Sequence, residues 1–174
     1  MRHNSKQRIL DAATVEFSTR GYDAVTMKDI ARRADITPAN IYVFYENKEA
    51  LLQEAVKRPM QMIDGILQQN NAKQKSLHSV TADLIAWSRE HRNEALLVAN
   101  TPTNRKEYAS RMAEHIAKCE KDRTLSKDSA QIAADTAITL ITDLVEKHDD
   151  DEKLDVNGTA RIVEKAVTDI LKLS

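Results

Sequence analysis

Apolar residues recur every three or four positions along most of this chain, and nowhere does a two-residue alternation persist. Ile9, Ala12, Ala13 and Phe17 fall at helical spacing, predicting a first helix over residues 5–20. Asn4 stands ready to cap it, with Gln7 three residues on, Arg20 in the last turn and Gly21 at the C-terminal cap. Tyr22 and Val25 are expected to tuck inward from the following turn. Two short apolar-periodic pieces come next, residues 27–34 and 38–44, with only Asp35, Ile36 and Thr37 between them. Thr26 and Asp29 have the spacing of a capping box, and Ile30, Ala31 and Ala34 supply the buried side. Thr37 can cap the third helix, whose first position is Pro38, where a missing N–H does no harm. Asn47 can cap a fourth helix starting at Lys48.

Pro59 and Gly65 interrupt that fourth helix, so a kink or break is expected near Pro59. The same point is the expected boundary between a module of residues 1–58 and a second one of residues 59–174. The polar run 68–76, "QQNNAKQKS", is expected to be a loop. Beyond it, Leu77, Val80, Leu84 and Trp87 form one stripe, and Tyr108, Met112, Ile116 and Cys119 a narrower one. The last two helices, residues 129–148 and 156–173, are apolar over a wide arc and need cover from more than one side. The acidic run 149–152 between them reads as a solvated loop.

Composition agrees with an all-α chain. The 174 residues include only 3 Gly and 3 Pro, against 41% hydrophobic and 30% charged residues. Sandwiches, barrels and Gly-rich phosphate loops are thereby poor fits. A net charge of −1 does not announce a nucleic-acid partner. The asymmetry has the permissive sign, since residues 1–58 hold 10 Lys+Arg against 8 Asp+Glu. One cysteine excludes an intramolecular disulfide, and no signal peptide or membrane span is evident, so a cytoplasmic chain is expected. None of the five histidines pairs with another at i,i+4 spacing, and no cysteine is read as near enough for a zinc site, so no metal and no cofactor are expected. Cys119 is open to a redox role or, more simply, to a place in the core. No G-x-S-x-G elbow, phosphate loop or other catalytic arrangement is present, and an enzyme is not expected.

Two short helices joined by a tight turn make a helix-turn-helix, whose second helix can enter a major groove. Ile36, Ile41 and Phe44 can anchor it, leaving Thr37, Ala39, Asn40 and Tyr42 to face outward. Residues 9–52 resemble the DNA-binding domain of TetR-family transcriptional repressors. The matching stretches are "RILDAATVEFSTRGYDAVTMKDIARRADIT" and "IYVFYENKEALL", with Phe17, Gly21, Tyr22, Thr26, Ile30, Ala31, Ala34, Tyr42, Lys48, Glu49 and Leu51 at the family's spacing. The resemblance implies a three-helix DNA-binding domain joined by the fourth helix to a helical effector-binding and dimerisation domain. It implies phosphate contacts from Thr26 and Lys28, base-edge contacts from Thr37, Pro38, Ala39 and Asn40, and backbone clamping by Tyr42 and Lys48. Asp35 stands where the family usually has Gly, and Asp tolerates the left-handed conformation such a turn needs. Phe44-Tyr45 reverses the family's usual aromatic order, which leaves open whether Tyr45 reaches phosphate.

The same resemblance implies a homodimer on a palindromic DNA operator, released by an unidentified small-molecule effector. Ile132, Thr136, Leu140, Leu144, Ile162, Val163, Ala166 and Ile170 are the candidate dimer residues, and Met62, Trp87, Tyr108 and Met112 the candidate pocket. Control by a protein partner instead of a small ligand is the alternative. Pro59 and Gly65 suggest a hinge through which an effector tilts the fourth helix.

Overall fold

The structure, a computed structural model, describes residues 2–73, 75–119, 126–147 and 155–172, with side chains from residue 5 onward. His148, the acidic run 149–152 and Leu173 lie outside the described residues. Among the described residues the elements are all helical: α1 Arg2–Arg20, α2 Met27–Arg33, α3 Pro38–Tyr42, α4 Lys48–Ala72, α5 Leu77–Glu90, α6 Arg92–Asn100, α7 Pro102–Cys119, α8 Lys127–Lys147 and α9 Val156–Lys172. None is long and apolar enough to cross a membrane.

Two apolar cores meet along α4. The first gathers Ile9, Ala13 and Phe17 from α1, Ile30 and Ala31 from α2, Ile41 from α3, and Leu51, Leu52, Ala55 and Val56 from α4. The second begins at Met60 and Ile63 and continues through α5 to α9. Helix α6 belongs to both, because Leu97 enters the first core while Leu96, Val98 and Ala99 enter the second. Arg92 at its start donates from Nε and Nη2 to the carbonyls of Val145 and Glu146, at 3.0 and 2.9 Å. Those are carbonyls a helix end leaves without intrahelical partners, so one cation satisfies the end of α8 and fixes α6 against it.

Three expectations are corrected. Helix α1 already runs from Arg2, which places Asn4 inside the helix and removes it as a cap. Helix α4 is unbroken through Pro59 and ends only at Ala72, so residues 68–72 are helix and not loop. A lone proline breaks a helix when nothing holds its flanks; here Val56 and Met60 anchor the helix in a core on either side. Third, His115 and Cys119 lie one turn apart on α7 with Cys119 Sγ 3.3 Å from His115 Nε2, so a cysteine does approach a histidine. Burial holds the His115 imidazole below its usual basicity.

Candidate nucleic-acid interface

Helix α2 is started by a reciprocal cap. The Asp29 amide donates to Thr26 Oγ1 at 3.2 Å, and the Thr26 amide and hydroxyl donate to Asp29 Oδ2 at 3.0 and 2.6 Å. Arg32 adds a bond to Asp29 Oδ1 at 2.7 Å. The Thr26 hydroxyl and amide, then Arg32 and the nearby Arg20, draw the Asp29 carboxyl down to about 2. Two donors from one residue at a helix start make a firm cap, worth about 1 kcal/mol in typical hosts. The cap fixes where α2 begins and so where its free N–H groups point.

The turn after α2 is held by a residue distant in sequence. Asp35 adopts φ +53°, the left-handed conformation expected where the family has Gly. Arg8, on α1, donates from Nη2 to the Ala34 carbonyl at 2.5 Å and to the Asp35 carbonyl at 3.1 Å, with the Asp35 carboxylate at 3.3 Å. A second tie joins the same helices. Buried Glu16 receives Arg33 Nε at 2.7 Å and Arg20 Nη1 at 2.8 Å, and its carboxyl is lowered first by the Arg33 bond. Nothing in the spacing of Arg8, Glu16 and Arg33 signals these contacts; only the crossing of α1 over α2 brings them together.

On α3, Thr37 stands at the cap position but makes no side-chain cap bond, and Pro38 occupies the first turn. Ile41 is fully buried as the anchor. Lys28, Thr37, Pro38, Ala39, Asn40 and Tyr42 are all exposed, with Tyr42 at 55%. Lys28 at the start of α2 and the outward residues of α3 are thus all open to solvent.

Two residues do not sit as expected. Tyr45 is buried, its ring in the first core and its hydroxyl without a hydrogen-bond partner, so it is no phosphate contact. Burial pushes its phenol up to about 12. The helical path runs on past Tyr42, with the Tyr45 amide donating to the Ile41 carbonyl at 2.9 Å, so Tyr45 lies one turn beyond buried Ile41 and faces inward while Phe44 is only partly covered. Lys48, expected as a backbone clamp, spends its ammonium inside the protein. It donates to the carbonyls of Tyr22 and Val25 at 2.7 and 2.9 Å and lies 4.2 Å from the Tyr22 ring centroid.

The second core is closely packed. Trp87 and Tyr108 line a narrow apolar crevice with Leu96, Ile138 and Ile141, with room for about one water molecule at most. Met112 is fully buried away from that crevice, and Met62 is 41% exposed, so neither lines it. Among the candidate dimer residues, Val163 is corrected: it is fully buried within its own chain. Ile132 and Ile162 are 56% and 61% exposed, and Thr136, Leu140, Leu144, Ala166 and Ile170 are half-buried on the same two helices.

Comparisons with known proteins point the same way as this geometry. Residues 9–55 match the family model described as bacterial regulatory proteins, tetR family. The biofilm operon icaADBC HTH-type negative transcriptional regulator IcaR of Staphylococcus aureus is 32% identical over 77 residues, 44% of this chain and 40% of that protein. The match therefore spans well under half of that relative's length. A TetR-like transcriptional regulator from Rhodococcus sp. RHA1 superposes with a TM-score of 0.71 at 18% identity, covering 94% of this chain and 93% of the other. The regulator FadR of Bacillus subtilis, solved in complex with stearoyl-CoA, gives 0.65 at 18% identity over 92% and 96% of the two chains. The structural likeness extends the shared fold from the matched segment to nearly the whole chain. These matches are to regulators, not enzymes.

Proposed function

We propose that this chain, whose residues 9–55 match the bacterial regulatory proteins of the tetR family, is a cytoplasmic transcriptional repressor that binds a palindromic DNA operator as a homodimer. The observation that carries the reading is the outward set on α3 beside the capped start of α2: Thr37, Ala39, Asn40 and Tyr42 exposed, with Ile41 buried beneath them. Lys28 and the N-terminus of α2 meet phosphate, while short polar side chains of α3 reach base edges. Lys48 acts from behind, bracing the turn that presents α2.

The dimer is supported by α8 and α9. Ile132, Thr136, Leu140 and Leu144 recur every four residues, and Ile162, Ala166 and Ile170 follow on α9. Two isoleucines held mostly in water on adjoining helices fit a two-fold four-helix contact between subunits. Negative regulation comes from the likeness to IcaR. A small-molecule effector, as FadR of Bacillus subtilis binds stearoyl-CoA, would lie beside Trp87 and Tyr108. It must open the packing to enter, because the crevice there holds about one water at most. That tightness favours a second reading, in which a protein partner governs DNA release.

Selection of duplexes from a random pool, followed by binding of the recovered sequence at two salt concentrations, tests the proposal. A palindromic consensus with steep salt dependence is expected, together with a dimer by sedimentation that Ile132→Asp with Ile162→Asp converts to monomer. No enriched sequence, or a monomer on DNA, would overturn it.

A further inference from the structure

The recognition segment carries no charge. Residues 37–45 read "TPANIYVFY", without an arginine, lysine or carboxylate. Guanine is most often read by the paired donors of Arg or Lys at O6 and N7, and cytosine by a carboxylate accepting from N4. Neither reader is available on this face. What the face does expose is aliphatic surface and one amide.

Val43 is the most exposed large apolar residue in the described part of the chain, at 68%. One exposed valine would mean little alone. Its place changes that. Val43 continues the α3 backbone with φ −68° and ψ −27°, so it stands one turn beyond Ala39 on the same side of the helix. Ala39 is exposed too, and Asn40 lies next to it. The first core does not need Val43, since Ile41 and Tyr45 fill the inward positions. The Thr37 hydroxyl, unused as a cap, is left for a polar contact at the same end.

From this and the DNA-binding reading above, on which it rests, we infer that α3 reads A·T pairs: Val43 and Ala39 pack against thymine C5-methyl groups, and Asn40 makes the paired contact to adenine N6 and N7. The apolar strip and the amide are the two chemistries that distinguish A·T from G·C in the major groove. Each operator half-site accordingly has an A·T core, and Val43 is a specificity-determining residue.

The test uses the full chain and its selected duplex, with each thymine of one half-site replaced in turn by deoxyuridine, which removes only the methyl group. For the unaltered protein, one or two positions are expected to weaken binding roughly fourfold, the worth of one buried methyl. Val43→Ala should weaken the parent duplex by a similar factor and abolish the dependence on that methyl. Because Val43 is exposed, its thermal midpoint should not move. A half-site centred on G·C pairs, a deoxyuridine series without effect, or a penalty unchanged in Val43→Ala would each overturn the inference while leaving DNA binding intact. Absence of salt-dependent binding to any duplex would overturn the DNA-binding reading itself, and this one with it.

Discussion

Arg8 reaches from the first helix to hold Asp35 in its left-handed conformation, donating to the carbonyls of Ala34 and Asp35 twenty-six and twenty-seven residues away. The angle between α2 and α3 is therefore set from outside the motif. Arg8→Ala should cost about 1 kcal/mol, less than a buried charged hydrogen bond because the side chain is half in water. Operator affinity should fall with it, as α3 loses its fixed entry. Asp35→Gly should act in the opposite sense. It removes roughly 1 kcal/mol of left-handed strain and loses only an exposed ion pair worth a few tenths. Thermal unfolding of both variants decides: an Asp35→Gly protein less stable than the parent would show that the carboxylate matters more than the backbone angle.

Tyr42 lies in water, as expected of a clamp, while Tyr45, whose role its place beside Phe44 left open, is buried. The buried Tyr45 hydroxyl lacks a partner, so Tyr45→Phe should leave stability equal or raise it by up to about 1 kcal/mol, with operator affinity unchanged. Tyr42→Phe should leave stability alone and weaken the operator several-fold. Denaturant melts and binding curves on the two variants separate these outcomes, and a loss of affinity in Tyr45→Phe would return Tyr45 to the interface.

How far the sequence could be read follows from the same residues. Caps are local, so Thr26, Asp29 and Asn47 announce their helices through chemistry three residues wide, and each cap bond is present. Asp35 likewise declares its turn. What stayed hidden depends on rotation and on distant packing. Whether Phe44 or Tyr45 turns inward depends on whether the helical path runs on past Tyr42, as it does through the bond from the Tyr45 amide to the Ile41 carbonyl. Val163 and Ile162 are neighbours on a wide apolar arc, and only the placement of α5 and α8 decides which of them the chain covers itself. Arg8 meets Asp35 across a helix crossing that no periodicity encodes.

Lys48 offers a clean distinction between brace and clamp. Its ammonium satisfies two carbonyls of the α1–α2 turn and lies over Tyr22. Lys48→Met should cost about 1–2 kcal/mol while leaving the slope of log affinity against log salt unchanged. Lys28→Ala should show the reverse, with stability kept and the slope reduced by about 0.9, the signature of one lost phosphate contact. A reduced slope in Lys48→Met with unchanged stability would restore the clamp.

Acid should loosen the first core through the α2 cap. The folded Asp29 carboxyl lies at about 2, below an ordinary aspartate near ~4, so its contribution is full above the unfolded value and is lost as pH falls from ~4 toward 2. Glu16, lowered by Arg33, acts in the same direction. Denaturant unfolding at several pH values should show stability level above pH ~5 and falling below it. Asp29→Asn should be less stable at neutral pH and fall less steeply under acid, the Glu16 part remaining. Identical slopes for the two proteins would mean that Asp29 is not linked to folding.

Pro59 sits at the junction of the two cores, buried inside a continuous helix where it supplies no N–H to the Ala55 carbonyl. An interior proline costs a helix about 3 kcal/mol against ordinary residues, and burial of the ring offsets part of that. Pro59→Ala should therefore raise stability by about 1–2 kcal/mol. The stiffened α4 would then transmit less of any rearrangement in the second core to α3. A ligand or partner shifts the balance between two shapes only by its difference in affinity for them, so a stiffer helix demands more of it. The expected result is tighter retention of the operator in the presence of whatever releases the parent protein. Unchanged operator affinity together with unchanged release would show that Pro59 is only a tolerated residue and that α4 moves, if at all, as a rigid rod.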